Sequence, residues 1–298
     1  LMGMAAYGNP QRLFWHIIED FFDYVNGTEV RFKKNLHRGC RWWMPELTTE
    51  QDMYDIAAAT QAVYEFVFRN ILQSASKLSS KNLVLMGGCA LNCSANSIAY
   101  DYFDKVWIMP NPGDAGSAVG SVLAHKKTHM EMPHVYLGYN IEGDYPVEEI
   151  IQELKRTGVC GVANGRAEFG PRAFGNRSLL ADPRGTDIKD RVNEIKRRQK
   201  FRPFAPAVLS EHADQYFRGH TGPFMQYTAD CTDPGLPAIT HGDGTSRVQT
   251  VSPDQGSGFR RLLERWYEET GCPVLLNTSL NIKGQPMAND LTDAEEFA

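Results

Sequence analysis

The sequence contains no apolar run near the roughly 20 residues that a bilayer-spanning helix needs. Its longest, such as NLVLMGGCAL, stop far short, so no membrane partner is expected. It also lacks a basic surplus: 31 Lys and Arg face 36 Asp and Glu, for a net charge of -5. A general nucleic-acid footprint requires the opposite balance, so nucleic acid is not an expected partner either. No CxxC pair occurs among the six cysteines, Cys40, Cys89, Cys93, Cys160, Cys231 and Cys272. They read as reduced, mostly buried thiols of a cytoplasmic protein. Cys89 and Cys93 are four apart, but two thiolates do not complete a zinc shell. No HExxH occurs, and His125 and His129 lie in the polar stretch AHKKTH, which reads as surface. Internal repeats and low-complexity segments are absent.

What is present is an ordinary globular composition, 298 residues with 42% hydrophobic and 22% charged. That is enough chain for two domains with separate cores. TTEQDMYDIAAATQAVYEFVFRNILQSASK reads as a helix. Thr48 and Gln51 would form its capping box, and Met53, Ile56, Val63, Val67 and Ile71 recur near helical spacing. NLVLMGG and KVWIMP read as buried strands, ALNCSANSIAYDYF as a helix between them, and NPGDAGSAVGSVLAHKK as a turn opening a small-residue helix. Helices alternating with strands indicate α/β layering. The chain turns polar around residues 125–146, which sets the expected domain boundary at 133/134. PVEEIIQELKRTG then reads as a helix, with Pro146 in its first turn and Gly158 as its stop. It is followed by the strand GVCGVA, a basic helix DIKDRVNEIKRRQK, the helix GFRRLLERWYEETG and the strand CPVLLNTSLN. The final DLTDAEEFA reads as a helix opening, capped by Thr292 with Glu295 three residues on. Both ends read as cut, which suggests a fragment.

Five stretches have residue types suited to chemistry. In MGGCALN, Gly87 and Gly88 allow a tight strand-to-helix turn whose N–H groups can face a phosphate. In PGDAGSAVG, Gly113, Gly116 and Gly120 allow close backbone approach, and Asp114 can cap the helix, ligate a metal or meet a ribose. EFGPRAFGNRSLLADPR is too apolar for a solvated tail and too rich in Gly, Pro and Arg for an ordinary helix or strand. The basic run from Arg184 to Arg202 leads into FRPFAP, where Pro203 and Pro206 end the helix. An arginine clamped among those prolines and Phe201 and Phe204 suits a bidentate grip on a planar anion. In HGDGTSRVQT, Arg247 and Gln249 fall on one face of an alternating strand. LLNTSLN delivers Asn277, Thr278, Ser279 and Asn281 at a strand end, a common place for a ligand.

LMGMAAYG, GGCALNCSAN, PGDAGSAVG, GRAEFGPRAFGNRSLLADPR, RVNEIKRRQKFRPFAPAVL, THGDGTSRVQTV and CPVLLNTSLNIKGQP follow one another over nearly the whole chain. In this order the sequence resembles the O-carbamoyltransferases of antibiotic and nodulation-factor biosynthesis. The resemblance implies an α/β fold. Residues 1–133 would be the C-terminal part of an actin/sugar-kinase-like (Kae1-like) domain. Residues 134–298 would be an α+β YrdC-like carbamoyl-activating domain with a twisted, concave sheet. It further implies an enzyme that converts carbamoyl phosphate and ATP to carbamoyl-adenylate and passes the carbamoyl group to a hydroxyl of a sugar or natural product.

By the same resemblance, Arg172, Lys196, Arg202, Arg247, Ser279 and Asn281 would hold carbamoyl phosphate and ATP. Gly87, Gly88, Asn92, Gly113 and Gly116 would contact nucleotide, and Asp114 would be a ligand to the family's iron, with Mg accompanying ATP. Arg177 and Arg184 would brace the loop or a domain interface. The family's first phosphate loop and paired-histidine motif have no counterpart in these blocks, so the transfer half is expected to be incomplete. A tRNA threonylcarbamoyl-adenylate enzyme, a non-catalytic nucleotide-binding fragment and homodimerisation remain open at this stage.

Overall fold

The computed structural model describes residues 1–26, 28–36, 42–255 and 257–298. Cys40, read as one of the reduced thiols, lies outside the described residues. Among the described residues the other five cysteines form no disulfide. By contacts the chain forms two compact units. One holds Leu1–Leu85 and Ser94–Trp107, the other Met86–Cys93 and Ile108–Ala298. The residues between 108 and the expected 133/134 boundary therefore pack with the second unit.

The first unit opens with α1 (Met2–Ala5), α2 (Phe14–Phe21) and the antiparallel pair β1 (Phe22–Asn26) and β2 (Glu29–Phe32). The long helix α3 (Glu50–Ala75) is capped one residue later than its sequence suggests. Thr49 and Asp52 form a reciprocal capping box, which satisfies two otherwise orphaned donors. Its inward face also differs from the expected stripe. Met53 is exposed, while Ala59 and Val63 pack on Leu13, Ile17 and Phe21. Further along, Leu72 packs on Ala95, Ala99 and Phe103.

The segment 88–101 is not one helix. It is a 3-10 turn, the short α4 (Cys93–Asn96) and a second 3-10 turn. Asn and Ser side chains compete there for backbone groups that a continuous helix would use. The flanking strands β3 (Asn82–Leu85) and β4 (Lys105–Ile108) form a two-stranded sheet. They are not buried as expected: alternate residues face out, leaving Val84 60% and Trp107 52% exposed.

The second unit begins, after the loop Met86–Cys93, with α5 (Asp114–Lys126). A hairpin-like pair follows, β5 (Tyr136–Ile141) against β7 (Gly165–Glu168), with α6 (Val147–Thr157) and β6 (Val159–Ala163) between them in sequence. Gly158 ends α6 in the left-handed conformation, as expected. Next come β8 (Arg177–Ala181), α7 (Ile188–Ile195), β9 (Ala205–Leu209) and α8 (Ala213–Tyr216). A small sheet is made of β10 (Phe217–Arg218), β11 (Ala229–Cys231) and β12 (Thr245–Ser246). Then β13 (Gln249–Val251), α9 (Gly258–Thr270), β14 (Val274–Ser279) and α10 (Leu291–Phe297) complete the unit. Asp290, not Thr292, caps α10.

The central sheet has the order β13-β9-β14-β8-β6. Only the β13–β9 pair is parallel. Both faces are covered, which explains why β8 and β9 are buried at every position. Leu179, Ala181, Val208, Val274 and Leu276 face one core, with Ile188 and Val192 of α7. Leu180, Ala207, Leu209 and Leu275 face the other, with Leu154 of α6 and Phe259, Leu262 and Trp266 of α9. Alternate residues thus point to opposite cores, as the two-residue period of a strand requires. The arrangement is a mixed α/β layering.

Two expectations need correcting. Part of the arginine-rich stretch is strand β8, paired between β14 and β6, and its buried Arg177 is accommodated because the guanidinium donates to backbone carbonyls. Pro206 lies inside β9 rather than ending a helix. It is tolerated because the parallel partner pairs only with residues 207–209, leaving no donor needed on that side.

Candidate anion site

Four segments of the second unit deliver the site. Helix α7 ends at Ile195, one residue before Lys196, which serves as its C-cap. Arg197 then takes a left-handed φ of 50°. This break sends Lys196 inward and lets Arg198 return toward the sheet. Lys196 is 2% exposed. Its ammonium donates to the backbone oxygens of Ser279 and Asn281, the latter at 2.8 Å, and to Asn281 Oδ1 at 3.0 Å. Ser279 Oγ donates to the same Asn281 Oδ1 at 2.6 Å, and Asn281 Nδ2 donates to Gln285 O at 2.8 Å. Lys196, Ser279 and Asn281, expected together, therefore form one hydrogen-bonded unit at the end of β14. Burial, followed by the charge of Arg198, lowers the Lys196 pKa to about 7, against oxygen acceptors that favour its charged form.

Arg198, which the sequence reading left aside, is the clamped arginine. Its guanidinium lies 4.4 Å from the Phe204 ring centroid, and its Nε donates to Asn193 Oδ1 at 2.9 Å. Arg202 is instead exposed, with Nε on Gln199 Oε1 at 3.1 Å. Burial, then Arg202 and Arg247, lower the Arg198 pKa to about 10.

The third segment is the loop between β7 and β8. Arg172 sits there, and the charge of Arg247 is the largest influence on it. With burial second, that charge lowers Arg172 to about 9, while Cys93 acts in the opposite direction. Arg247 itself falls in the break between β12 and β13. Its Nε is buried without a hydrogen-bond partner. Among the described residues no carboxylate acts on Arg172, Lys196 or Arg198. A grouping of partly buried cations like this one can take up a compact anion.

The two glycine turns reach the same unit. Gly87 N donates to Pro112 O at 2.7 Å, and Gly170 of the arginine loop packs on Asn111. Gly87 has a φ of 93°, and a side chain there, or at Gly88 or Gly113, would meet open space. These turns leave backbone accessible to a ligand. Gly116 differs, because a Cβ there would fall 1.9 Å from Asn111 O, so packing alone demands glycine. Asn92 closes the 3-10 turn after Gly88, its N–H bonded to Cys89 O at 3.0 Å. Asp114 opens α5, whose N-cap is Gly113. It is exposed there and complements the helix dipole.

Among the described residues no three His, Cys, Asp or Glu side chains converge to hold a metal. Asp114 alone does not make an iron site. Arg177 braces the loop, donating to the carbonyls of Tyr139, Asn164, Asn176 and Asn289. Arg184 pairs with Asp182 at 2.8 Å and reaches Thr270 O. Arg166 is exposed on β7, with NH1 3.4 Å from Gly138 O.

The fold is mixed α/β, and its second unit gathers Lys196 and several arginines near one sheet end. Two family descriptions match it, Carbamoyltransferase N-terminus over residues 1–123 and Carbamoyltransferase C-terminus over residues 151–298. The chain belongs to the carbamoyltransferase family. Nodulation protein NolNO of Sinorhizobium fredii is 32% identical, covering 99% of this chain and 49% of its own. The 3'-hydroxymethylcephem-O-carbamoyltransferase of Amycolatopsis lactamdurans is 37% identical over 71% of this chain and 44% of its own. An uncharacterized Synechocystis protein is 32% identical over 99% of this chain and 60% of its own. The chain thus spans about half the length of the curated relatives it matches. The crystal structure of T. kodakarensis HypF has a TM-score of 0.38 at 18% identity, over 55% of this chain and 20% of that one. Among the described residues no helix is long and apolar enough to cross a membrane.

Proposed function

We propose that this chain carries the donor-activating site of an ATP-dependent O-carbamoyltransferase. The observation that carries the reading is the buried, unpartnered Nε of Arg247 together with the buried Lys196, joined by a crowding of like charges in which Arg247 acts on Arg172 and Arg198, and Arg198 on Lys196, with no carboxylate, among the described residues, acting on Arg172, Lys196 or Arg198. Such crowding destabilises the empty protein and is relieved when a phosphorylated anion binds. Carbamoyl phosphate is compact, dianionic and planar at its acyl end, which suits arginine forks with amide and hydroxyl donors nearby.

In the proposed sequence, water cleaves carbamoyl phosphate to carbamate and phosphate. Carbamate then displaces pyrophosphate from ATP to give carbamoyl-adenylate. A hydroxyl of the acceptor displaces AMP and receives the carbamoyl group. The cations hold the phosphates and stabilise developing charge, Ser279 and Asn281 fix Lys196, and the open turns at Gly87–Gly88 and Gly113 meet the nucleotide. The name of the Amycolatopsis relative, a 3'-hydroxymethylcephem-O-carbamoyltransferase, supports a hydroxyl acceptor.

Calorimetric titration with carbamoyl phosphate tests the donor site. Binding should be clear in the wild-type chain and weakened in both Arg172→Met and Arg247→Met. Unchanged affinity in both variants would refute the assignment. Turnover of bicarbonate with threonine in place of carbamoyl phosphate would instead favour threonylcarbamoyl-adenylate chemistry.

A further inference from the structure

Two arginines that repel each other stay together in an empty site only if the chain carrying them is held from behind. The loop bearing Arg172 has no regular secondary structure, yet buried side chains hold its backbone closely. Glu168 Oε1 accepts from the N–H groups of Phe174 at 2.7 Å, Asn176 at 2.9 Å and Arg177 at 3.4 Å. Gly175 N donates to Ser178 Oγ at 3.0 Å. On the carbonyl side, Asn277 donates to Ala173 O at 3.0 Å, Tyr136 to Phe174 O at 2.9 Å and Tyr145 to Gly175 O at 2.8 Å.

Glu168 is the unusual member of this set. It is 6% exposed and its Oε2 is buried with no hydrogen-bond partner. The guanidinium of Arg177, whose backbone N–H Glu168 accepts, is spent on backbone carbonyls. A carboxylate kept buried without an ion pair is costly, so what it holds should matter. It gathers three donors of the turn, Phe174, Asn176 and Arg177, into one oxygen, beginning two residues after Arg172.

We propose that Glu168 is a positioning residue that acts through Arg172, holding the turn so that the Arg172 guanidinium stays beside Arg247 before the anion arrives. The inference rests on the anion site proposed above. It extends that reading from the groups that touch the ligand to the group that pre-organises them. Glu168 touches no ligand itself.

A double-mutant cycle on the full chain tests it, with inorganic phosphate as the probe and affinity read by calorimetry. Glu168→Ala should weaken phosphate binding about 10- to 100-fold, the scale expected when a binding group is misplaced by about 1 Å. Glu168→Gln keeps an oxygen acceptor and should remain within about threefold of wild type. In an Arg172→Met background, Glu168→Ala should cost nothing further, because the group it positions is gone. Should Glu168→Ala fail to fold, Glu168→Asp takes its place in the cycle, with the same loss of effect expected beside Arg172→Met. A penalty that persists undiminished in the Arg172→Met background would overturn the inference and make Glu168 a support of the fold alone. If Arg172→Met weakens binding but Glu168→Ala does not, this inference fails while the anion site stands. If Arg172→Met leaves affinity unchanged, both fall.

Discussion

Replacing Arg247 with methionine should make the unliganded protein more stable while removing its response to phosphate. The Arg172 pKa falls from 12.5 to about 9, with Arg247 the largest cause. At about 1.4 kcal/mol per unit, the surroundings penalise the charged guanidinium by on the order of 4–5 kcal/mol. Part of that is burial, and solvent reaches both side chains, so about 1–2 kcal/mol is assigned to Arg247 itself. The buried, unpartnered Nε of Arg247 adds a desolvation cost that the substitution also removes. Methionine retains most of the apolar stem. The variant should therefore gain about 1–3 kcal/mol, a rise of roughly 2–6 °C in Tm. Thermal unfolding followed by circular dichroism, with and without inorganic phosphate, reads both halves. Wild type should gain about 2.7 kcal/mol at phosphate a hundredfold above its Kd, and the variant almost nothing. An Arg247→Met protein that is less stable than wild type and equally responsive to phosphate would refute the argument that the site is built from unneutralised charge.

Lys196 supplies a pH signature. Its pKa is lowered from 10.5 to about 7 in the folded chain, so between these values the unfolded state holds more protons. Stability from this group should rise with pH from about 7 to about 10, and denaturant titrations of Lys196→Met should lack that rise. Anion binding restores the charge, so calorimetry near pH 8 in buffers of different ionisation enthalpy should show proton uptake that Lys196→Met reduces. Gly175 has a φ of 117°, and a Cβ there would lie 2.3 Å from Phe259 Cγ. Gly175→Ala should cost about 2–4 kcal/mol in denaturant unfolding and weaken phosphate binding as the arginine loop shifts.

Much of the second unit was legible because its signals are local. Gly158 and Pro146 bound α6, GVCGVA is β6, and the apolar run before Asn277 is β14. Lys196, Ser279 and Asn281 meet as a chain of hydrogen bonds, from motifs more than 80 residues apart. Other features depended on partners that a sequence does not display. Arg198 has no local signal, since two residues apart on a helix it would face away from Lys196, and only the left-handed turn at Arg197 removes that constraint. Glu168 gave no signal, since its role lies in backbone donors of a turn rather than in a charge partner. The segment 88–101 carried a helical pattern whose Asn and Ser side chains broke it into turns. The apolar character of β3 and β4 suggested burial, but the two-stranded sheet they form leaves one face exposed.

The central claim is tested most directly by pyrophosphate and phosphate release from this chain incubated with ATP and carbamoyl phosphate together. The account predicts that both products form in equal amounts, that each requires both substrates, and that Arg172→Met and Arg247→Met suppress release while remaining folded. ATP binding without pyrophosphate release, or release that proceeds equally well without carbamoyl phosphate, would contradict it.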